Sequence, residues 1–186
     1  MTEAPSDETL AEQAKRGDRP AFEALVRRHK NALYRFVRLY VGQADDAYDV
    51  LQDAFISAWE GLRRYDPGRP FLPWLRTIAL NKCRDFGRRQ AVRKRLIQLF
   101  AREHEQPVMA SIESDVGLKE ERLSRLDAAI AALPAFYKEP LLLTMVAGLS
   151  QHDAAVQLKT TTKAVEMRIR RAKQKLEAAL SQDSDA

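Results

Sequence analysis

The stretch Gly148-Leu-Ser-Gln-His-Asp-Ala-Ala-Val-Gln-Leu-Lys-Thr-Thr-Thr-Lys-Ala-Val-Glu-Met-Arg-Ile-Arg-Arg-Ala-Lys-Gln-Lys-Leu176 decides how the rest of the chain is read. Ser150 is placed to cap a short helix in which Ala154, Ala155 and Leu158 face inward. Lys159-Thr160-Thr161 makes a turn. In the helix that follows, Val165, Ile169, Ala172 and Leu176 recur at spacings of three and four and so share a buried side. Lys163, Arg168, Arg170, Arg171, Lys173 and Lys175 populate the rest of its surface. This is a helix-turn-helix pattern with a basic second helix. Such a helix fits the major groove of duplex DNA, its first residues reaching base edges and its later cations holding phosphates. Thr162, Lys163 and Glu166 are the expected base readers, the glutamate as acceptor for a cytosine amino group. Arg170, Arg171 and Lys173 are the expected phosphate contacts, and Arg168 completes the expected DNA-binding set. The competing reading is a solvated basic face on an ordinary helical bundle.

Upstream, the 3.6-residue period predicts further helices. A short one over 8–16 ends at Gly17-Asp-Arg-Pro20. A long one carries Phe22, Leu25, Val26, His29, Leu33, Phe36, Val37 and Tyr40 on one stripe and stops at Gly42. A third, capped near Asp45 or Asp46, buries Val50, Leu51, Ala54, Phe55, Ala58, Trp59 and Leu62. After the breaker Tyr65-Asp-Pro-Gly-Arg-Pro-Phe71, a fourth buries Trp74, Leu75, Ile78, Ala79 and Phe86. Its outer side carries Asn81, Lys82, Arg84 and Arg88, with Asp85 spaced to pair with Arg89. Tyr65 and Phe71 beside this basic helix either stack unpaired bases or pack beneath their loop. On the third helix Asp46, Asp49, Asp53 and Glu60 form an acidic edge that repels phosphate and faces a basic protein surface or water.

Regularity fades after about residue 91. Residues 103–122 hold Glu103, Glu105, Glu113, Asp115, Glu120 and Glu121 against Lys119 and Arg122, a net of about −4. Pro107, Ser111, Ser114 and Gly117 weaken regular structure there, apart from a short helical piece at 96–100. Periodicity resumes at Leu126, Ala129, Ile130 and Leu133, and a helix over 137–147 then points Leu141, Leu142, Met145 and Val146 inward. The chain is therefore an all-α protein of two small helical domains, 1–91 and 125–186, joined by a flexible acidic linker over 92–124.

Composition agrees. Of 186 residues 45% are hydrophobic, enough for packed cores, and the few glycines and prolines favour helix over sheet. A net charge of +5 leans toward polyanionic partners. Cys83 is the only cysteine, so no internal disulfide and no thiolate zinc site can form. The three histidines make no metal-ligand pattern, and no cofactor is expected. The polar start is no signal peptide, and no apolar run is long enough to cross a bilayer, so a soluble cytoplasmic protein is the expectation, and a monomer when free. There is no phosphate-binding glycine loop and no nucleophile elbow. Lys82 and Arg84 flank Cys83, but a structural thiol fits better than a reactive one.

Three blocks together resemble the extracytoplasmic-function group of bacterial sigma factors. They are Asp49-Val-Leu-Gln-Asp-Ala-Phe-Ile-Ser-Ala-Trp59; then Phe71-Leu-Pro-Trp-Leu-Arg-Thr-Ile-Ala-Leu-Asn-Lys-Cys-Arg-Asp85 with Arg88; then Leu133-Pro134 through Ser150 with Ala164-Val-Glu-Met-Arg-Ile-Arg-Arg-Ala172. The resemblance implies a sigma-2-like and a sigma-4-like domain, and no catalytic activity. It implies core RNA polymerase as partner, engaged through the β′ coiled coil at Asp46, Asp49, Gln52 and Asp53 and through the β flap. Asn81, Lys82, Arg84 and Arg88 would face the minus-10 element, and the loop from Tyr65 to Phe71 would capture a base flipped from the opening strand. The Thr162 helix would read the minus-35 element, and the acidic linker would mimic a nucleic acid strand in the polymerase channels. A separate anti-sigma factor would regulate the protein. The chain departs from the family at His152-Asp153-Ala154, where an acidic pair and isoleucine are usual, which predicts looser packing there, and at Thr161 in the turn. The alternatives are a free-standing helix-turn-helix regulator, which binds a palindrome as a dimer without polymerase, and a metal-dependent nucleic-acid-processing enzyme.

Overall fold

The computed structural model describes residues 4–100 and 118–182, and every regular element among them is helical. In the first unit, α1 (Asp7–Lys15) starts at Ser6, whose side chain accepts from the Thr9 amide. Asp18 caps α2 (Arg19–Val41) in the same way, with Pro20 in the first turn where its missing N–H costs nothing. α3 covers Ala44–Gly61, and a single 3-10 turn follows at Leu62–Arg64. α3 starts two or three residues earlier than its acids suggest. Gln43 holds the cap position without a side-chain bond, and Asp45 and Asp46 lie in the first turn, where the helix dipole favours them. The stripe on α2 packs as its spacing requires: Leu25, His29, Leu33, Phe36, Val37 and Tyr40 are all buried.

α4 runs unbroken over Phe71–Phe100. The apolar pattern fades near Ala91 because residues 87–97 are all exposed. Strong helix formers carry the backbone onward without a core-facing stripe, so periodicity could not report this part. The second unit comprises α5 (Leu118–Ala132), α6 (Ala135–Met145), α7 (Gln151–Gln157) and α8 (Thr162–Gln182). Helix thus enters the expected linker from both sides, while the acids at 103, 105, 113 and 115 lie outside the described residues.

α6 is the central helix of the second unit, packing on α7, α8 and α2. It buries Lys138, Glu139 and Pro140 as well as Leu141, Leu142 and Leu143. Met145, expected inward, is 64% exposed at the last turn, and Val146 is only partly buried. At α7, Ala154 and Ala155 are buried.

The two units touch where α2 ends. Gly42 has φ +99° and its Cα lies so close to α5 that an added Cβ would meet the Ala131 Cβ at 3.1 Å. The sequence marks this glycine as a helix stop. The structure adds that the glycine allows the two units to come together.

Candidate nucleic-acid interface

α8 sorts its charged residues into two flanks. Lys163, Glu166, Arg170 and Lys173 follow one another by three or four residues along an exposed flank that Thr162 begins. On the other flank, Arg168 lays its guanidinium on the Phe136 ring, 4.0 Å from the centroid, and Lys175 lies 5.6 Å from the Tyr137 ring. Arg168 also reaches Thr160 Oγ1 in the turn, at 3.5 Å. Arg168 is therefore engaged inside its own unit, where the side chain braces α8 and the turn against α6. Arg171 remains exposed between the flanks. Lys159, in the turn, adopts φ +52°, a left-handed conformation uncommon for a non-glycine residue.

In the loop before α4, Tyr65 and Phe71 are 2% and 1% exposed. Their rings meet edge to face at 5.6 Å and both contact Trp74. The Tyr65 hydroxyl donates to the Arg69 carbonyl at 2.5 Å, and burial pushes its pKa up to about 12. Base stacking by these two rings is therefore corrected: they pack under the loop as its foundation. The groups the loop presents to solvent are residues 66–70.

On α4, Asn81 and Arg88 are exposed and Lys82 is half-buried. Asp85 pairs with Arg88, one turn away, rather than with Arg89. Arg84 makes a two-pronged bond across the domain boundary, Nε to Glu139 Oε1 at 2.8 Å and a terminal nitrogen to Oε2 at 2.6 Å. Glu139 also accepts from the Tyr40 hydroxyl at 3.2 Å. Beside it, Lys138 Nζ donates to the carbonyls of Tyr40, at 2.9 Å, and Ala131, at 2.5 Å. Burial, with Glu139 next in weight, holds the Tyr40 hydroxyl well above its ordinary range, so it stays a donor. The Glu139 bonds raise the Arg84 pKa, and burial lowers that of Lys138. In this arrangement Arg84 is held by Glu139.

Asp46, Asp49, Gln52 and Asp53 come together as expected, along a groove between α3 and α4. Its opposite wall is Phe86, Arg89, Gln90 and Arg93. The groove carries both signs of charge, where the sequence suggested acids alone. Glu60 lies farther down α3, away from it.

Two family descriptions match the chain in order: Sigma-70 region 2 over residues 25–93, and Sigma-70, region 4 over residues 123–176. RNA polymerase sigma factor NccH of Alcaligenes xylosoxydans xylosoxydans is 40% identical over 186 residues, with 97% of both chains covered. RNA polymerase sigma factor CnrH of Cupriavidus metallidurans is 37% identical over the full length of both. The chain belongs to the sigma-70 family, as an extracytoplasmic-function sigma factor. A solved structure of CnrH in complex with the cytosolic domain of CnrY superposes with a TM-score of 0.70 at 35% identity, covering 96% of this chain and 99% of that one.

This sigma factor is a promoter-specificity subunit of RNA polymerase and promotes initiation at minus-35 and minus-10 elements. Region 2 runs from within α2 into the long α4 and contains the loop, the α3 groove and Arg84. Region 4 contains α6 to α7 and most of α5 and α8. Lys138 and Glu139 escaped sequence reasoning because charged residues in a short helix read as surface. Only the neighbouring α2 and α4 make them interior.

Cys83 is fully buried, and burial pushes its thiol from 9.0 up to about 12. In the unfolded chain the thiol ionises near 9, so between about pH 9 and 12 the unfolded state binds fewer protons and stability falls as pH rises. At pH 8 iodoacetamide should alkylate the native sigma factor at least about 100-fold more slowly than the chain in denaturant. Comparable rates would mean that Cys83 is reachable. Among the described residues no group of three His, Cys, Asp or Glu side chains is placed to hold a metal, and no helix is long and apolar enough to cross a membrane.

Proposed function

We propose that the two units divide the promoter between them and that the groove on α3 and α4 docks the core enzyme. The exposed flank of α8 from Thr162 to Lys173 enters the major groove at the minus-35 element. Thr162, Lys163 and Glu166 meet base edges and Arg170 and Lys173 meet phosphates, with Arg171 as an outlying phosphate contact. Asn81, Lys82 and Arg88 face the minus-10 element, joined by Arg84 once Glu139 releases it. The tip at 66–70 takes a base from the opened strand. Asp46, Asp49, Gln52 and Asp53 receive the β′ coiled coil, whose complementary surface would carry both charges to satisfy the two walls, and region 4 meets the β flap. The protein works in the cytoplasm beside the nucleoid, contributes binding and no chemistry of its own, and is held in check by an anti-sigma factor. The solved complex of its relative CnrH with CnrY supports such a regulator.

The observation that carries this reading is the presence of two separate basic helix faces, on α4 and α8, with an acid-lined groove beside the first. The test is transcription in vitro from a pool of promoter fragments, using bacterial core polymerase with and without the protein. Initiation that depends on it, at sites sharing two spaced motifs, is the expected result. No effect on initiation, with tight binding of the protein alone to a palindrome, would overturn it.

The split of α8 into flanks makes a separate prediction. Changing Arg170 and Lys173 together to alanine should reduce the salt slope of minus-35 binding by about 1.8, since each phosphate contact contributes roughly 0.9 on duplex DNA. Titrations over a salt series measure it, and an unchanged slope would remove this flank from the DNA.

A further inference from the structure

The loop between the 3-10 turn and α4 is gripped at both ends by α1, which precedes the residues matched to region 2. At the entry, Lys15 Nζ donates to the Tyr65 carbonyl at 2.9 Å. At the exit, Glu8 Oε1 accepts from the Phe71 amide at 3.4 Å. That amide opens α4 and has no acceptor within its own helix. Next to it His29 packs on the Phe71 ring, and His29 Nε2 is bonded to Asp7 Oδ2 of α1 at 2.7 Å. Lys15 and Glu8 are seven residues apart, so they lie on one helix face about 10 Å apart along the axis. Leu10, Ala11 and Ala14 already fasten α1 by burial. Lys15 and Glu8 add polar bonds directed at the backbone of the loop.

Between these anchors the loop is ordered by its own bonds. Asp66 Oδ1 accepts from the Gly68 amide at 3.0 Å, and the Asp66 carbonyl accepts from the Arg69 amide at 3.0 Å. The Tyr65 hydroxyl holds the Arg69 carbonyl from below. The result is a preset tip with Pro67, Gly68 and Arg69 facing solvent.

We propose that α1 belongs to the minus-10 recognition machinery, with Lys15 and Glu8 as positioning residues that preset the 66–70 tip for an unpaired base. This rests on the reading that the tip takes such a base. A loop ordered before DNA arrives loses less conformational freedom on binding, so more of the contact energy goes into strand opening. Lys15 and Glu8 touch no DNA in this account. Their effect passes through the loop backbone.

The experiment uses the full chain with core polymerase and a promoter carrying 2-aminopurine in the minus-10 element. Lys15→Met keeps the side-chain length and removes the donor, while Lys15→Arg restores one. Lys15→Met should lower the extent of opening about tenfold. Core affinity and minus-35 duplex binding should stay within about twofold, and Lys15→Arg should recover most of the opening. Glu8→Ala, at the other end of the loop, should act in the same direction. Unchanged opening in both variants overturns the proposal. So does loss of opening together with core affinity and melting temperature, since that marks a fold-stabilising role only. Arg69→Ala, at the tip, separates the two layers. If it impairs opening while Lys15→Met does not, the tip reading stands and the brace falls. If Arg69→Ala and Asp66→Ala leave opening intact, the tip reading itself falls.

Discussion

Asp49→Lys combined with Asp53→Lys should lower affinity for core RNA polymerase by about a hundredfold. Both residues line the α3–α4 groove, with Asp49 exposed and Asp53 half-buried. Reversing a charge at an interface removes an attraction and installs a repulsion, and like charges brought together cost several kcal/mol. About 3 kcal/mol corresponds to roughly a hundredfold. The fold should survive. Both positions are within α3, where lysine is a good helix former. The new lysines would face Arg89 and Arg93 across solvent, a surface repulsion of about 1 kcal/mol or less. Competition binding to core enzyme measures the effect, with circular dichroism to confirm helicity. Wild-type affinity in a folded double variant would mean that core polymerase docks elsewhere.

Glu139→Ala should open the protein and increase the affinity of the free chain for single-stranded minus-10 DNA. In the closed arrangement Glu139 holds Arg84 by two charge-assisted bonds and receives the Tyr40 hydroxyl. Hydrogen bonds to charged groups are worth about 1.5–3 kcal/mol each when well buried. The Arg84 side chain is 33% exposed, so water recovers part of this. A net loss of about 2 kcal/mol from the closed form shifts the equilibrium between closed and open roughly thirtyfold. The Tyr40 hydroxyl, left without its acceptor, adds in the same direction. The radius of gyration in solution scattering should rise, and oligonucleotide affinity with it. Arg84→Ala should also open the chain but gain no DNA affinity, because the freed group is gone. Unchanged affinity in Glu139→Ala would show that the Arg84–Glu139 contact does not limit access to DNA.

Legibility followed periodicity. The stripe on α2, the buried side of α3 and the inward face of α8 were readable because each repeats at three and four residues and each packs on its own neighbours. The helix-turn-helix was readable for the same reason, aided by Ser150 as a cap. Where a segment stays exposed, as in α4 over 87–97, the signal vanished although the helix continued. Where it packs on more than its own domain, as in α6, the signal misled: Lys138 and Glu139 turned inward and Met145 outward.

The same distinction runs through the site. Charge placed along a helix is a property of the sequence, so the basic faces of α4 and α8 and the acids of α3 could be named in advance. What each charge meets is a property of the assembled helices. Arg84 met Glu139, Arg168 met Phe136, and Arg89 and Arg93 faced the α3 acids across a groove. Tyr65 and Phe71 illustrate the limit most plainly, since an aromatic residue on a proline- and glycine-bearing loop suits either stacking or burial, and only Trp74 and α1 beside them decide it. By itself the sequence determined the helices, their two groups and their membership of the sigma-70 family, because those depend on short-range periodicity and ordered motifs. The tertiary structure alone decided which partner each cation meets within the fold, because a charged side chain takes the nearest good partner in space and the chain does not record that neighbour locally.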